Sequence, residues 1–333
     1  MASLPLLPES GSRLVGIARL ATHGESVQQG HEVEYFTLPV RSLLNRCVSR
    51  RQMPFTWTIN PYRGCEFACK YCYARYTHEF MEMRDGVEFE QKIYAKQHAA
   101  DLLRQELRRV KTGEQIAIGT ATDPYQPIER RLEITRAILH EFSRHSGLDL
   151  GIVTKSAMVA RDIELLKEIS QNNRITVNFT VTTVDPELAR ILEPRAPRPD
   201  LRLQALRKLR DAGIRAGVIC APVLPGISDA PRQLEVVVRG AAEAKASHIH
   251  ANPLFLKPCS AAVFLPFLKE NFPELVPDYE KRFKDRAFLP TAYRKRISEL
   301  FAQFRATYRI QRDSGWQHET RQQGGGEQLA LFG

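Results

Sequence analysis

Long apolar runs are missing from this 333-residue chain. Nothing approaches the roughly 18 consecutive apolar residues of a membrane span, so no membrane partner is expected. The N-terminus lacks a charged-then-apolar pattern ending in a small-residue cleavage site, so the expected compartment is the cytoplasm. No solenoid-type repeat is present. Cysteine is scarce: Cys47, Cys65, Cys69, Cys72, Cys220 and Cys259 are the only ones. Three of the six fall within eight residues, which in a cytosolic chain suggests metal binding rather than disulfides. A fourth cysteine near that triplet is absent, and so is any cysteine between Cys72 and Cys220.

The composition is that of an ordinary globular protein, with 43% hydrophobic and 26% charged residues. Its net charge of +10 is concentrated. Between residues 281 and 312 ten Lys/Arg face only Asp285 and Glu299, which carries eight of those ten charges. A concentrated basic segment is the footprint of a polyanion partner, here nucleic acid, or else a solvated helix face.

Residues 1–50 show weak periodicity and read as an irregular N-terminal extension. From residue 56 short strand-like runs alternate with amphipathic ones. Strands are predicted over 56–60, 115–120, 150–154, 175–182, 215–220 and 248–252. Helices are predicted over 99–110, 128–144, 159–170, 201–212 and 231–244. Strand-then-helix units argue for a parallel sheet. Successive strand residues point to opposite faces, and here one face is apolar while the other is polar or small. Ile175, Val177, Phe179 and Val181 oppose Thr176, Asn178, Thr180 and Thr182; His248 and His250 oppose Ile249 and Ala251. A parallel sheet covered on both sides is apolar on both. The pattern therefore predicts an α/β fold whose sheet curves into a partial (β/α)6 TIM-like barrel over residues 51–260, helices outside and a polar cavity inside. Barrel chemistry gathers at the C-terminal ends of the strands. Residues 261–313 read as a basic C-terminal helical region, with helices over 261–271 and 292–310. Residues 314–333 read as a flexible, glycine-rich tail.

The cysteine loop has the spacing C-x3-C-x2-C through Cys65, Cys69 and Cys72. Thiolates take soft metals and iron–sulfur clusters. A structural zinc site wants four closed ligands, and an electron-transfer cubane wants four cysteines. Three thiolates leave one iron of a cluster open to a substrate or cofactor.

This spacing, with Tyr71 just before the last cysteine, resembles the radical S-adenosylmethionine (SAM) superfamily. The runs 60–74, GTATDPYQPIE at 119–129, TKS at 154–156, EPRAPRPDLRL at 193–203 and VLPGISD at 223–229 resemble its spore photoproduct lyase-like branch, often labelled DNA repair photolyases. The resemblance implies that the three cysteines hold a [4Fe–4S] cluster, that SAM chelates the open iron, and that an external flavodoxin- or ferredoxin-type donor reduces the cluster. Reductive cleavage of SAM then gives a 5′-deoxyadenosyl radical that abstracts a hydrogen atom from the substrate. It further implies SAM contacts at Tyr71, at Thr120, Thr122 and Asp123 after the second strand, at Lys155 and Ser156 after the third, at Thr182 and Arg195, and at Ala221, where adenine packs.

The lyase that names the branch returns a hydrogen atom from an additional cysteine in the first half of its barrel. This chain has none there, which puts thymine-dimer repair in doubt; Cys259 is the candidate substitute donor. The terminal Gln328-Leu329-Ala330-Leu331-Phe332 resembles the bacterial sliding-clamp binding peptide and gives a second pointer to DNA. The readings left open are a radical SAM enzyme acting on a DNA lesion, one acting on RNA, a peptide or a small molecule, and a non-catalytic iron–sulfur protein that binds DNA or senses redox state.

Overall fold

The structure, a computed structural model, describes residues 14–30, 33–47, 55–83 and 85–310. The terminal run Gln328–Phe332 that resembles a sliding-clamp peptide therefore lies outside the described residues. Eleven strands form: β1 Ser26–Gly30, β2 Val33–Leu38, β3 Leu44–Arg46, β4 Trp57–Ile59, β5 Tyr62–Arg63, β6 Lys92–Lys96, β7 Gln115–Ile118, β8 Asp149–Thr154, β9 Arg174–Thr180, β10 Arg215–Val223 and β11 Ile249–Pro253. The principal sheet has the order β11-β10-β9-β8-β7-β4-β3. From β4 to β11 each neighbour is parallel, and each lies beside the strand that precedes it in the sheet's chain order. These are the six strands the alternation predicts. No ladder joins the two edge strands among the described residues, so the barrel is open.

The ladder registers explain the two faces. Ile59, Ile118, Ile152, Val177 and Ala216 line up across five strands and belong to one buried core with the covering helices. Each fully buried aliphatic side chain of this kind contributes about 1.5–3 kcal/mol. One residue along, Thr58, Ala117, Gly151 and Thr176 form a row on the opposite, inner face. The next inner row holds Val153, Asn178 and Gly217, and the one above it Thr180, Ile219 and His250.

The N-terminal segment corrects the expectation of an irregular extension. β1 and β2 pair antiparallel, β2 runs parallel to β6, and β6 pairs antiparallel with β5, so a second sheet forms in the order β1-β2-β6-β5. β3 adds an antiparallel edge to the principal sheet. The signal for β2 in the sequence is short: only Val33 and Tyr35 alternate clearly, buried, with exposed Glu34. The partner β6 is more than fifty residues away and was not expected as a strand.

The predicted helix over 128–144 is broken. A short helix Glu129–Leu132 stops at Glu133, in the left-handed region at φ +50°, before the helix Ile134–Ser143. The buried Glu129 carboxylate causes the break, because it accepts the free N–H groups of Thr135 (2.9 Å) and Arg136 (3.1 Å) that start the second helix. The C-terminal helices are Pro258–Asn271, Val276–Phe283 and Thr291–Thr307. Among the described residues no helix is long and apolar enough to cross a membrane.

Candidate active site

The cysteine loop follows β5 at the C-terminal ends of the parallel strands. Gly64 opens it at φ +80°, where a Cβ would stand 2.6 Å from the Lys92 carbonyl oxygen, so only glycine fits. Its carbonyl accepts from Thr122 Oγ1 (2.6 Å) and Gln126 Nε2 (3.4 Å), and Glu66 N donates to Gln126 Oε1 (3.1 Å). Cys65 N donates to Phe89 O (2.9 Å), and Lys70 N to Leu192 O (2.9 Å). The Arg75 guanidinium, fully buried, donates to Cys69 O (3.0 Å) and pairs with Glu90 at 2.5 Å. Ser260 Oγ donates to Cys72 O (2.9 Å). The loop is thus tied to four separate parts of the chain, around residues 89–90, 122–126, 192 and 260.

Cys69 is buried and Cys65 and Cys72 half-buried, all packed on a core that also holds Phe67, Tyr71, Leu254, Phe264 and Leu289. Burial pushes the Cys69 thiol up to about 12. Burial raises Cys65 as well, aided by the charges of Asp123, Cys69 and Cys72. Three neighbouring thiols, one buried and two half-buried, that repel one another as thiolates are a donor set that a cationic metal centre stabilises, since coordination deprotonates the thiol outright. Among the described residues no three His, Cys, Asp or Glu side chains converge on one metal ion. A cluster does not require that, because it gives each thiolate its own iron. Of the other cysteines, Cys220 Sγ faces Thr182 O at 3.9 Å, and Cys259 Sγ lies 3.8 Å from the Oγ of Ser260, the residue that bonds Cys72 O, with Glu79 a charged neighbour.

The expected SAM contacts converge at the strand ends, but several are committed to the scaffold. Asp123 accepts from Thr154 Oγ1 (2.7 Å), Lys155 N (2.7 Å) and Tyr125 N (2.9 Å), pinning the end of β8 to that of β7. Burial nevertheless raises its carboxyl above the usual range. Thr122 holds Gly64. Ser156 Oγ accepts from Met158 N (3.2 Å) and caps the turn Ala157–Asp162. Thr120 Oγ1 accepts from Asn60 Nδ2 (3.3 Å), and Thr120 O accepts from the Tyr73 hydroxyl. Thr182 Oγ1 lies 3.0 Å from Tyr71 Oη and 3.1 Å from Ala221 O. Lys155, Arg195 and Ala221 are half-buried. Arg195 N donates to Phe67 O (3.3 Å), and its charge faces Tyr35 of the second sheet, whose hydroxyl donates to Glu66.

Two residues that the sequence reading did not select complete the arrangement. Glu193 and Arg202 form an ion pair with side chains 2% and 1% exposed. Glu193 also accepts from Tyr71 Oη and from Thr182 Oγ1 (3.2 Å), while Arg202 donates to Thr180 O (3.0 Å) and Pro197 O (2.7 Å). Burial works against the Glu193 carboxylate, but Arg202 and Lys155 hold it below the usual range. Burial likewise opposes the Lys155 ammonium, and Cys69 and Glu193 outweigh it, so lysine stays charged. Its Nζ stands 5.7 Å from the Tyr71 ring centroid. The signal for this pair was two charged residues nine apart in a proline-rich run, which does not announce burial.

Deeper in the barrel His248 is fully buried. Its Nε2 lies 2.8 Å from Asn178 Oδ1 and its Nδ1 2.8 Å from Ser247 Oγ. The ring spans β10 over Gly217. His250 lies parallel to it at 6.4 Å, half-buried and nearer the strand tops.

The family model described as the radical SAM superfamily matches residues 59–234. An uncharacterized protein of Mycobacterium tuberculosis is 33% identical over 309 residues, which cover 92% of this chain and 91% of that protein. An uncharacterized protein of Methanocaldococcus jannaschii is 29% identical over 218 residues, covering 66% and 77%. Among solved structures, spore photoproduct lyase complexed with dinucleoside spore photoproduct is similar with TM-score 0.61 and 16% identity over 82% of this chain and 79% of that one. A mutant of that lyase with bound AdoMet and dinucleoside spore photoproduct gives 0.59 and 15% over the same shares.

Proposed function

Because this chain belongs to the radical SAM superfamily and is a radical SAM enzyme, we propose that its substrate is a nucleic acid, with a damaged nucleotide of DNA as the group acted upon. The observation that carries this reading is where the basic segment sits. After β11 the chain runs to Leu254, whose N–H donates to Val223 O (3.0 Å), and Leu256 N then donates to Ala287 O (2.9 Å). Phe255 and Phe288 form an antiparallel bridge. The segment carrying Lys284 and Arg286 therefore lies along the strand tops, and Leu289 packs in the same core as Cys69 and Tyr71. Lys281, Lys284, Arg286 and Arg309 are exposed and form no ion pair among the described residues. Cationic charge next to the reaction site suits a phosphate backbone.

In this reading Cys65, Cys69 and Cys72 would hold a [4Fe–4S] cluster, and Tyr71, Lys155, Thr182 and Ala221 would border SAM. When bound, the cluster and SAM supply a radical that takes a hydrogen atom from the substrate. The chain's own groups prepare the site. The Glu193–Arg202 pair fixes Tyr71, Lys155 places positive charge beside the Cys69 thiolate, and Asp123 holds the Lys155 backbone. The apolar packing around Phe67, Leu254 and Phe264 keeps water from the cysteine loop. The electron donor would be a flavodoxin or ferredoxin type.

The test uses enzyme reconstituted anaerobically with iron and sulfide. About four irons per chain and reductive SAM cleavage to 5′-deoxyadenosine are expected. DNA binding is expected to weaken with salt, with a log–log slope of about −3 to −4 for four phosphate contacts. SAM cleavage without salt-sensitive DNA binding would sink the nucleic-acid reading and favour a peptide or small-molecule substrate.

A further inference from the structure

The charged residues beside the mouth are interleaved with aromatic rings, and the rings say more about the substrate than the charges do. Phe255, just after β11, stacks on Phe288 with ring centroids 4.6 Å apart and planes 27° apart. Tyr73, directly after the last cysteine of the loop, approaches Phe255 at 6.5 Å. Its hydroxyl is fixed to Thr120 O at the end of β7. The three rings make a row from the cysteine loop to the basic segment. All three are half-buried, so each keeps part of its surface in solvent. Two exposed cations, Lys284 and Arg286, lie within four residues of Phe288, with Asp285 the single acid between them.

We propose that the Tyr73–Phe255–Phe288 row is a stacking platform for unpaired bases of single-stranded or locally opened DNA, with Lys284 and Arg286 on the adjoining phosphates. This rests on the nucleic-acid reading above and narrows it to an unpaired target. Aromatic faces stack on bases only when these are free of a duplex, since a paired base keeps its faces inside the helix. Lysine and arginine beside such rings neutralise the backbone without reading sequence. The row joins the loop that carries the cysteines, so a base held there is brought to the reaction centre. The terminal Leu329–Phe332 run, with its likeness to a sliding-clamp peptide, is what favours DNA over RNA.

The experiment measures fluorescence anisotropy of the reconstituted full chain with a labelled 12-nucleotide mixed-sequence DNA strand, the same strand in duplex form, and the RNA of the same sequence. Single-stranded DNA is expected to bind tighter than duplex. Phe255→Leu and Phe288→Leu keep an apolar side chain but remove the ring; each is expected to weaken single-strand binding about 5- to 150-fold without changing the salt slope. Phe288→Tyr, which keeps a stacking face, is expected to bind as the parent does. Arg286→Ala is expected to reduce the slope by about one phosphate. Duplex bound as tightly as single strand, with both leucine variants unchanged, overturns the platform and leaves the nucleic-acid reading standing. RNA bound tighter than DNA overturns the assignment to DNA. Binding of no strand overturns the nucleic-acid reading and the platform with it.

Discussion

Gly217→Ala tests the arrangement of the barrel's inner face. A Cβ at residue 217 would stand 2.4 Å from His248 Cε1 and Nε2 and 2.5 Å from Nδ1. The ring cannot give way easily, because it is fully buried and bonded at both nitrogens, to Asn178 and Ser247. Overpacking of this kind costs about 1–3 kcal/mol. If the ring leaves instead, Asn178 and Ser247 each lose a buried partner at about 1–3 kcal/mol apiece. The chain follows the lower-energy route, so a loss of about 2–3 kcal/mol is expected. That corresponds to a fall in Tm of about 3–5 °C for a chain of this size. Urea unfolding of Gly217→Ala, His248→Ala and the double variant forms a thermodynamic cycle. Removing the ring removes the clash, so alanine at 217 should cost less than about 1 kcal/mol in the His248→Ala background, giving a coupling of about 2 kcal/mol. An equal penalty in both backgrounds would refute the reasoning, because it would mean that Gly217 is required for its backbone and not for the space it leaves to His248.

Cys69→Ala is expected to lose most of its iron and all SAM cleavage after reconstitution, while Cys259→Ala keeps its iron; iron assay and 5′-deoxyadenosine chromatography read both. Arg202→Met leaves Glu193 buried without its counter-charge and should cost about 3–5 kcal/mol in urea unfolding, whereas joint replacement with Glu193→Gln should recover part of that loss. His78 is pushed down to about 4 by burial, beside Phe89 and within 3.2 Å of Lys92 O. Its ordinary value is near 6.5, so the unfolded chain takes up a proton first and stability falls as pH drops from about 6.5 towards 4, by up to about 3 kcal/mol. His78→Phe should lose less stability over that interval. A tail peptide lacking Leu331 and Phe332 is expected to lose binding to a sliding clamp, and equal binding by both peptides would reject that partner.

The cysteine spacing was legible because it is local: eight residues carry all three thiols, and the lack of a fourth beside them is visible by inspection. The six parallel strands were legible for a similar reason. Most alternate an apolar face with a polar or small one at period two, Val153 and Ile219 being exceptions, and the rows through Asn178 and His250 did fall on one face. Other features gave weaker signals. The second sheet depends on β2 finding β6, a pairing that no short window contains. The break at Glu133 depends on a buried carboxylate replacing the first turn of a helix. Nor did the sequence show that Thr122, Asp123 and Ser156 carry hydrogen bonds that hold the loops at the strand ends.

By itself the sequence determined the cysteine triplet, the strand periodicity and the excess of positive charge, each written in neighbouring residues. Tertiary structure alone decided which polar groups are buried against one another. Glu193 meets Arg202 and Tyr71 inside the fold, Gly217 makes room for His248, and residues 287–288 fold back beside 255–256 so that the basic segment reaches the cysteine loop. The physical reason is that burial and pairing at long range arise from where strands and helices pack, and a charged residue in sequence carries no mark of whether water or a counter-charge will surround it.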